Sequence, residues 1–118
     1  MLSERPTLRP VAWSGSAFDD LLCFPDEIRK MAGFQLHRLQ AGLEAADWRP
    51  MPEIGRGVAE VKLRSGSGAY RIIYLARFEH AVYVLHCFVK KTQRTSEHDK
   101  RIAKARLQAV LEEQRSQK

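Results

Sequence analysis

The segment that most narrows the possible folds is Val58–Arg64, where Ala59, Val61 and Leu63 alternate with Glu60, Lys62 and Arg64. Successive side chains of a strand point to opposite faces, so this alternation describes a half-buried strand with one apolar and one charged side. Ser65–Gly68 supplies turn chemistry, and Ala69–Phe78, rich in Tyr, Ile and Phe, supplies a second strand, so a hairpin is expected. Glu79 and His80 mark another tight turn before the nearly continuous apolar run Ala81–Val89, which ends in Lys90 and Lys91. An apolar run of that length reads as a central or well-covered strand.

Helical patterns flank this meander. Leu8–Trp13 reads as a short strand that Pro10 confines to a sheet edge or strand start. Ser16, three residues before Asp19, resembles a capping box, and Ala17, Phe18, Leu21 and Leu22 predict a first helix to about Phe24, stopped by Pro25. Pro25 suits the first turn of a second helix, with Asp26 and Glu27 near its positive end. Ile28, Met31, Ala32, Leu36, Leu39 and Leu43 mark the buried face of that helix, and Gly42 ends it. The two helices should form a hairpin covering one face of the sheet. Asp47–Gly57, with two prolines, Trp48 and two glycines, reads as an ordered loop. Ser96 and Asp99 cap a carboxy-terminal helix whose apolar side is Ile102, Ala103, Leu107, Val110 and Leu111.

The expected fold class is therefore α+β, two amino-terminal helices packed on a small, mainly antiparallel sheet with a carboxy-terminal helix. At 118 residues and 44% apolar the chain is expected to be one globular domain, 1–118, with 1–7 and 115–118 frayed. It contains no run of 18 or more apolar residues and opens without a basic-then-apolar leader, so the expectation is no membrane association and a cytoplasmic location. Cys23 and Cys87 are far apart and without metal-ligand spacing, which argues for two small buried hydrophobes and no metal site.

Charge is uneven. Residues 60–118 hold 13 Lys/Arg against 6 Asp/Glu, whereas residues 1–59 hold 7 against 8. A basic half suits a polyanionic partner, since each neutralised phosphate releases counterions. On the charged side of the first hairpin strand, Glu60, Lys62 and Arg64 project together, about 7 Å between successive members. Arg71 follows just across the turn, and Lys90 and Lys91 end the third strand, so these cations can converge on one phosphate. A plain solvated face is the alternative, but such a face usually mixes signs, and here five cations surround one acid.

Tyr70, Tyr74 and Phe88 are interleaved with the cations, as a base-stacking surface requires, although rings in such strands also serve as core. Past the strand end, Arg94 and His98 are candidates for RNA contact. His86 sits within an apolar strand and reads as a hydrogen-bonded buried imidazole, while His37 and His80 have no identifiable partner.

No P-loop, dinucleotide-binding, zinc-protease or serine-hydrolase motif occurs, so no cofactor is expected. Without a metal, clustered cations can promote attack of an RNA 2′-hydroxyl on its adjacent phosphate by stabilising the pentacoordinate transition state. A proton acceptor is also required, and Glu60 or a lysine of lowered pKa is available.

Four ordered blocks resemble a known family: Asp47-Trp48-Arg49-Pro50-Met51-Pro52 with Gly55-Arg56-Gly57-Val58, then Glu60-Val61-Lys62-Leu63-Arg64, Tyr70-Arg71-Ile72-Ile73-Tyr74, and His86-Cys87-Phe88-Val89-Lys90-Lys91-Thr92-Gln93. They are similar to the phage-derived HigB-like branch of the RelE/ParE superfamily of bacterial type II toxins. The resemblance implies a compact RelE-like fold and a ribosome-dependent mRNA interferase that leaves a 2′,3′-cyclic phosphate, with the ribosome, mRNA and a helix-turn-helix antitoxin as partners. It further implies that Lys62 and Arg71 contact the scissile phosphate, that Lys91 stabilises the phosphate or leaving group, and that Glu60 and Arg64 are the branch's own acid and base; Lys90 matches as well. RelE proper has a lysine at the position of Glu60 and a tyrosine near Glu97 or His98, so the acid/base assignment departs from that pattern. The rival readings are a gyrase-inhibiting ParE-type toxin and a non-catalytic RNA- or ribosome-binding module.

Overall fold

The computed structural model describes residues 8–116. Its strands are β1 (Val11–Trp13), β2 (Trp48–Pro50), β3 (Val58–Ser65), β4 (Gly68–Leu75) and β5 (Val82–Lys90), and its helices are α1 (Ala17–Leu22), α2 (Asp26–Gln40) and α3 (Glu97–Ser116). They form one sheet in the order β1-β5-β4-β3-β2. All neighbours are antiparallel except β1, which runs parallel to β5. The α+β class and the three-stranded meander at the centre agree with the alternation in the sequence.

Two cores flank the sheet. On one side Ala59, Val61, Leu63, Tyr70, Ile72, Tyr74, Val82, Val84 and Cys87 meet α1 and α2 through Leu21, Phe24, Ile28, Ala32, Leu36 and Leu39. On the other, Val58, Ile73, Leu75, Tyr83, Leu85 and Phe88 meet Met51, Ile54 and the α3 residues Ala103, Leu107 and Val110. Each large apolar side chain buried in this way contributes about 1.5–3 kcal/mol. Between Ile73 and Tyr74 the β4–β5 register slips by one residue, leaving Leu85 extra on β5 as a β-bulge. Arg106 of α3 donates to the Leu85 carbonyl at 2.9 Å and to Ser16 Oγ at 3.1 Å, tying α3 to the bulge and to the start of α1.

Several expectations change. The stretch from Asp47 to Gly57 contains the regular strand β2, because Trp48, Arg49 and Pro50 pair with Val61, Glu60 and Ala59. Pro50 is tolerated because β2 is an edge strand. Met31 and Leu43 were expected in the buried face but are exposed, and Leu43 lies beyond the end of α2. Gly42, with φ of +83°, sits just beyond that end, as a stop residue should. Cys23 is exposed, since it follows the last turn of α1, whereas Cys87 is buried, which pushes its thiol up to about 12.

The two serine caps also separate. Ser96 Oγ accepts from the Asp99 backbone N–H at 3.1 Å and donates to the Asp99 carboxylate at 2.7 Å, a working cap. Ser16 caps no backbone N–H; its hydroxyl donates to Asp20 at 2.8 Å. Arg115 and Ser116, expected to fray, belong to α3. The expectations for 1–7 and 117–118 lie outside the described residues. Among the described residues no helix is long and apolar enough to cross a membrane.

Candidate functional site

The side of the sheet that carries α3 is only half covered by it, and the candidate site occupies the rest. Register fixes its layout. Lys62 on β3 lies directly opposite Arg71 on β4, Arg71 lies opposite Phe88 on β5, Arg64 opposite Ala69, and Ala69 opposite Lys90. Like charges facing each other across a strand pair oppose folding. The Lys62–Arg71 juxtaposition therefore costs stability unless an anion joins them.

Arg64, Ala69, Arg71, Lys90, Lys91, Thr92 and Gln93 line a cleft of about 420 Å³. A second cleft of about 530 Å³ shares the Lys90–Thr92 wall and is completed by Phe88, Val89, Arg94, Ser96, His98 and Asp99. Arg64, Lys91, Arg94 and His98 are exposed, Lys62 and Lys90 half-buried, and Arg71 only 3% exposed. The structure thus brings Arg64, Arg71, Lys90 and Lys91 around one cavity, with Lys62 beside them across the β3–β4 pair.

A buried carboxylate lies against this cationic surface. Glu60 Oε2 accepts from Thr95 Oγ1 at 2.6 Å, and Oε1 accepts from Arg49 Nε at 3.1 Å. The Arg71 Nε lies 3.6 Å from the same Oε1, too far for a hydrogen bond but close enough for strong attraction. Arg71 also donates from Nη1 to the Tyr70 carbonyl at 3.0 Å. Burial lowers the Arg71 pKa, partly offset by Glu60, with Arg64 lowering it further. Its guanidinium nonetheless remains charged. Burial likewise lowers the Lys90 pKa, and Arg71 lowers it again.

Two expected site residues are corrected by their placement. Glu60 does share a side with Lys62 and Arg64, but it is 0% exposed, because Thr95 and its neighbours fold over that end of the strand. Tyr74 projects to the opposite side and is packed under the amino-terminal helices at 4% exposure, so it offers no stacking surface to the clefts. Its neighbour Tyr70 faces the same way and packs against Phe24 with centroids 4.9 Å apart. Phe88 alone of the three rings borders a cleft, and it stacks on His86 at 4.9 Å and 18°.

His86 is buried and paired, as its apolar surroundings suggested: Nε2 lies 2.7 Å from Asp99 Oδ1. Burial lowers its pKa, opposed by the bond to Asp99. A neutral ring donating from Nε2 leaves Nδ1 unprotonated, and that atom has no partner in the structure.

Arg49 and Thr95 were not anticipated as site residues, and Asp99 was expected only as a cap of the carboxy-terminal helix. Arg49 lay within the Asp47–Pro52 block that carried the resemblance, which was a usable signal. Thr95 has no sequence signal, since its importance depends on where the chain folds after β5.

The family model of Phage derived protein Gp49-like matches residues 19–108. The chain belongs to the phage-derived Gp49-like family. Among solved structures, this Gp49-like chain is similar to the Escherichia coli toxin RelE, a double arginine-to-alanine mutant in the free state, with a TM-score of 0.57 and 17% identity over 87% of this chain and 98% of that one. That likeness gives the Gp49-like chain a RelE-like fold. No curated protein matches the sequence.

Proposed function

We propose that this Gp49-like protein is the toxin of a type II toxin–antitoxin module and cuts mRNA on the ribosome in the cytoplasm, without a metal. The observation that carries the reading is the cleft ringed by Arg64, Arg71, Lys90 and Lys91, which no carboxylate among the described residues lines and from which the buried Glu60 is sealed away. Such a cleft suits a phosphodiester, because several cations can hold its oxygens and stabilise the extra charge of the pentacoordinate transition state.

In the proposed reaction the 2′-hydroxyl oxygen attacks the adjacent phosphorus, the bond to the 5′-oxygen of the next nucleotide breaks, and a 2′,3′-cyclic phosphate and a 5′-hydroxyl result. Lys62 and Arg71 hold the phosphate, Arg64 and Lys91 stabilise the developing charge, and the departing 5′-oxygen takes a proton from solvent water. Lys90 takes the 2′-hydroxyl proton: its lowered pKa increases the neutral fraction able to accept one. Arg94, His98 and the edge of Phe88 contact the neighbouring nucleotide from the second cleft. The partners are the ribosome, its mRNA and a cognate helix-turn-helix antitoxin.

A second reading has an observation in its favour. With Glu60 buried, no carboxylate stands in the first cleft, which also fits a non-catalytic RNA- or ribosome-binding module. Primer extension on mRNA from a translating extract separates the two. Codon-phased cleavage by the wild type, lost in Arg71→Ala, is the expected result. Absence of cleavage by the wild type, with retained salt-sensitive ribosome binding, selects the binding module.

A further inference from the structure

A buried carboxylate bound by groups from three separate segments is an unusual thing to find beside a cationic cleft. Glu60 on β3 meets Arg49 on β2, Arg71 on β4, and Thr95 in the segment between β5 and α3. Thr95 is 3% exposed, while every residue from Lys91 to Arg94 is exposed. The segment is thus an exposed arch with one side chain driven into the protein, and that side chain ends on Glu60. Arg49 Nη2 adds a 3.3 Å contact to the same Thr95 hydroxyl. Immediately after Thr95 comes Ser96, which caps α3.

The arch carries Thr92 and Gln93 into the first cleft and Thr92, Arg94 and Ser96 into the second. Its position therefore sets the shape of both. Glu60 meanwhile has no exposed surface, and both oxygens already accept hydrogen bonds. A general base must come within about 2.6–3.2 Å of the hydroxyl it deprotonates. Glu60 has no such approach unless Thr95 leaves.

We infer that Glu60 is a positioning residue and not the proton acceptor: it fastens the Lys91–Ser96 arch through Thr95. This rests on the endoribonuclease reading for its kinetic consequence, but its structural half stands without substrate. Removing one partner of a buried, hydrogen-bonded charge leaves the others uncompensated, so the arch should loosen when either Glu60 or Thr95 is truncated.

The test compares Glu60→Ala, Glu60→Gln and Thr95→Val in the full chain. Gln is the discriminating variant, since its amide oxygen can accept from Arg49 while its NH2 donates to the Thr95 hydroxyl, preserving the packing without a basic carboxylate. Amide hydrogen exchange over residues 91–96, measured without RNA, is expected to rise by tenfold or more in Glu60→Ala and Thr95→Val and to remain near wild type in Glu60→Gln. Cleavage is expected to follow the same order, with Glu60→Gln within about tenfold of wild type, whereas loss of a general base costs about 10²–10⁴-fold.

A Glu60→Gln protein that is as inactive as Glu60→Ala, with its arch fully protected, overturns the inference. If Glu60→Ala does not fold, Thr95→Val carries the comparison, because it loosens the arch from the other side. If the wild type does not cleave RNA, the functional reading falls and exchange alone decides: raised exchange in the truncated variants supports the positioning role, and unchanged exchange overturns it.

Discussion

The two sides of the β3–β5 meander are made by the same strands and obey the same alternation, yet they differ in what they can tolerate. Toward α1 and α2 the side is apolar from Ala59 to Leu63 and from Tyr70 to Tyr74, and helices cover it throughout. Toward α3 it is apolar only where that helix lies, and then changes to Lys62, Arg64, Arg71 and Lys90. Glu60 stands at the boundary, buried among cations. The difference teaches that alternation assigns a side chain to a side of the sheet, while the fate of that side depends on elements far away in the chain.

Substitutions can pull the two sides apart. Ile72→Ala, on the helix-covered side and 0% exposed, is expected to lower stability by about 2–5 kcal/mol in urea unfolding. Arg64→Ala, on the charged side and exposed, is expected to shift stability by no more than about 0.5 kcal/mol while reducing RNA cleavage. Equal stability losses in the two variants would erase the distinction.

The buried His86 lies under the α3 half and sharpens the comparison through pH. Burial lowers its pKa despite Asp99, with Arg106 lowering it further, so the unfolded chain takes up a proton at a higher pH than the folded one. Stability from this group is therefore complete above its ordinary value of about 6.5 and declines as the pH falls below it, at up to about 1.4 kcal/mol per pH unit. Melting temperatures between pH 7 and pH 5 should fall less steeply for His86→Gln than for the wild type. A parallel decline in both would assign the acid sensitivity to other groups.

The smallest effect contrasts the two helix starts. Ser96→Ala removes a cap from α3 and is expected to cost about 1 kcal/mol in chemical denaturation. Ser16→Ala removes no backbone cap and should cost less, through lost contacts with Asp20 and Arg106 alone.

Much of the architecture was legible in the sequence for a physical reason: alternation, the Ser65–Gly68 turn and the helical spacing in α2 are local signals. β2 was hidden because a three-residue edge strand that ends in Pro50 has no periodicity of its own, and only its pairing with β3 makes it regular. For Tyr74 the information was present, since it lies an odd number of residues from Arg71 and so must face the other way along an unbroken strand. The burial of Glu60 was not legible, because nothing before Thr95 in the chain indicates that the arch folds back over it.

The β-bulge at Leu85 inverts the phase of β5 halfway along its length. Before it Tyr83 and Leu85 face α3, and after it His86, Phe88 and Lys90 do so. Were the strand uninterrupted, Cys87 and Val89 would take those places, and Lys90 would point at the amino-terminal helices. Deleting one residue just past the bulge, Cys87 for instance, would leave charge and every other strand intact and still turn Lys90 and the wall shared by the two clefts inside out. The whereabouts of the cationic surface thus depends on a counting step in the chain as much as on the presence of basic residues.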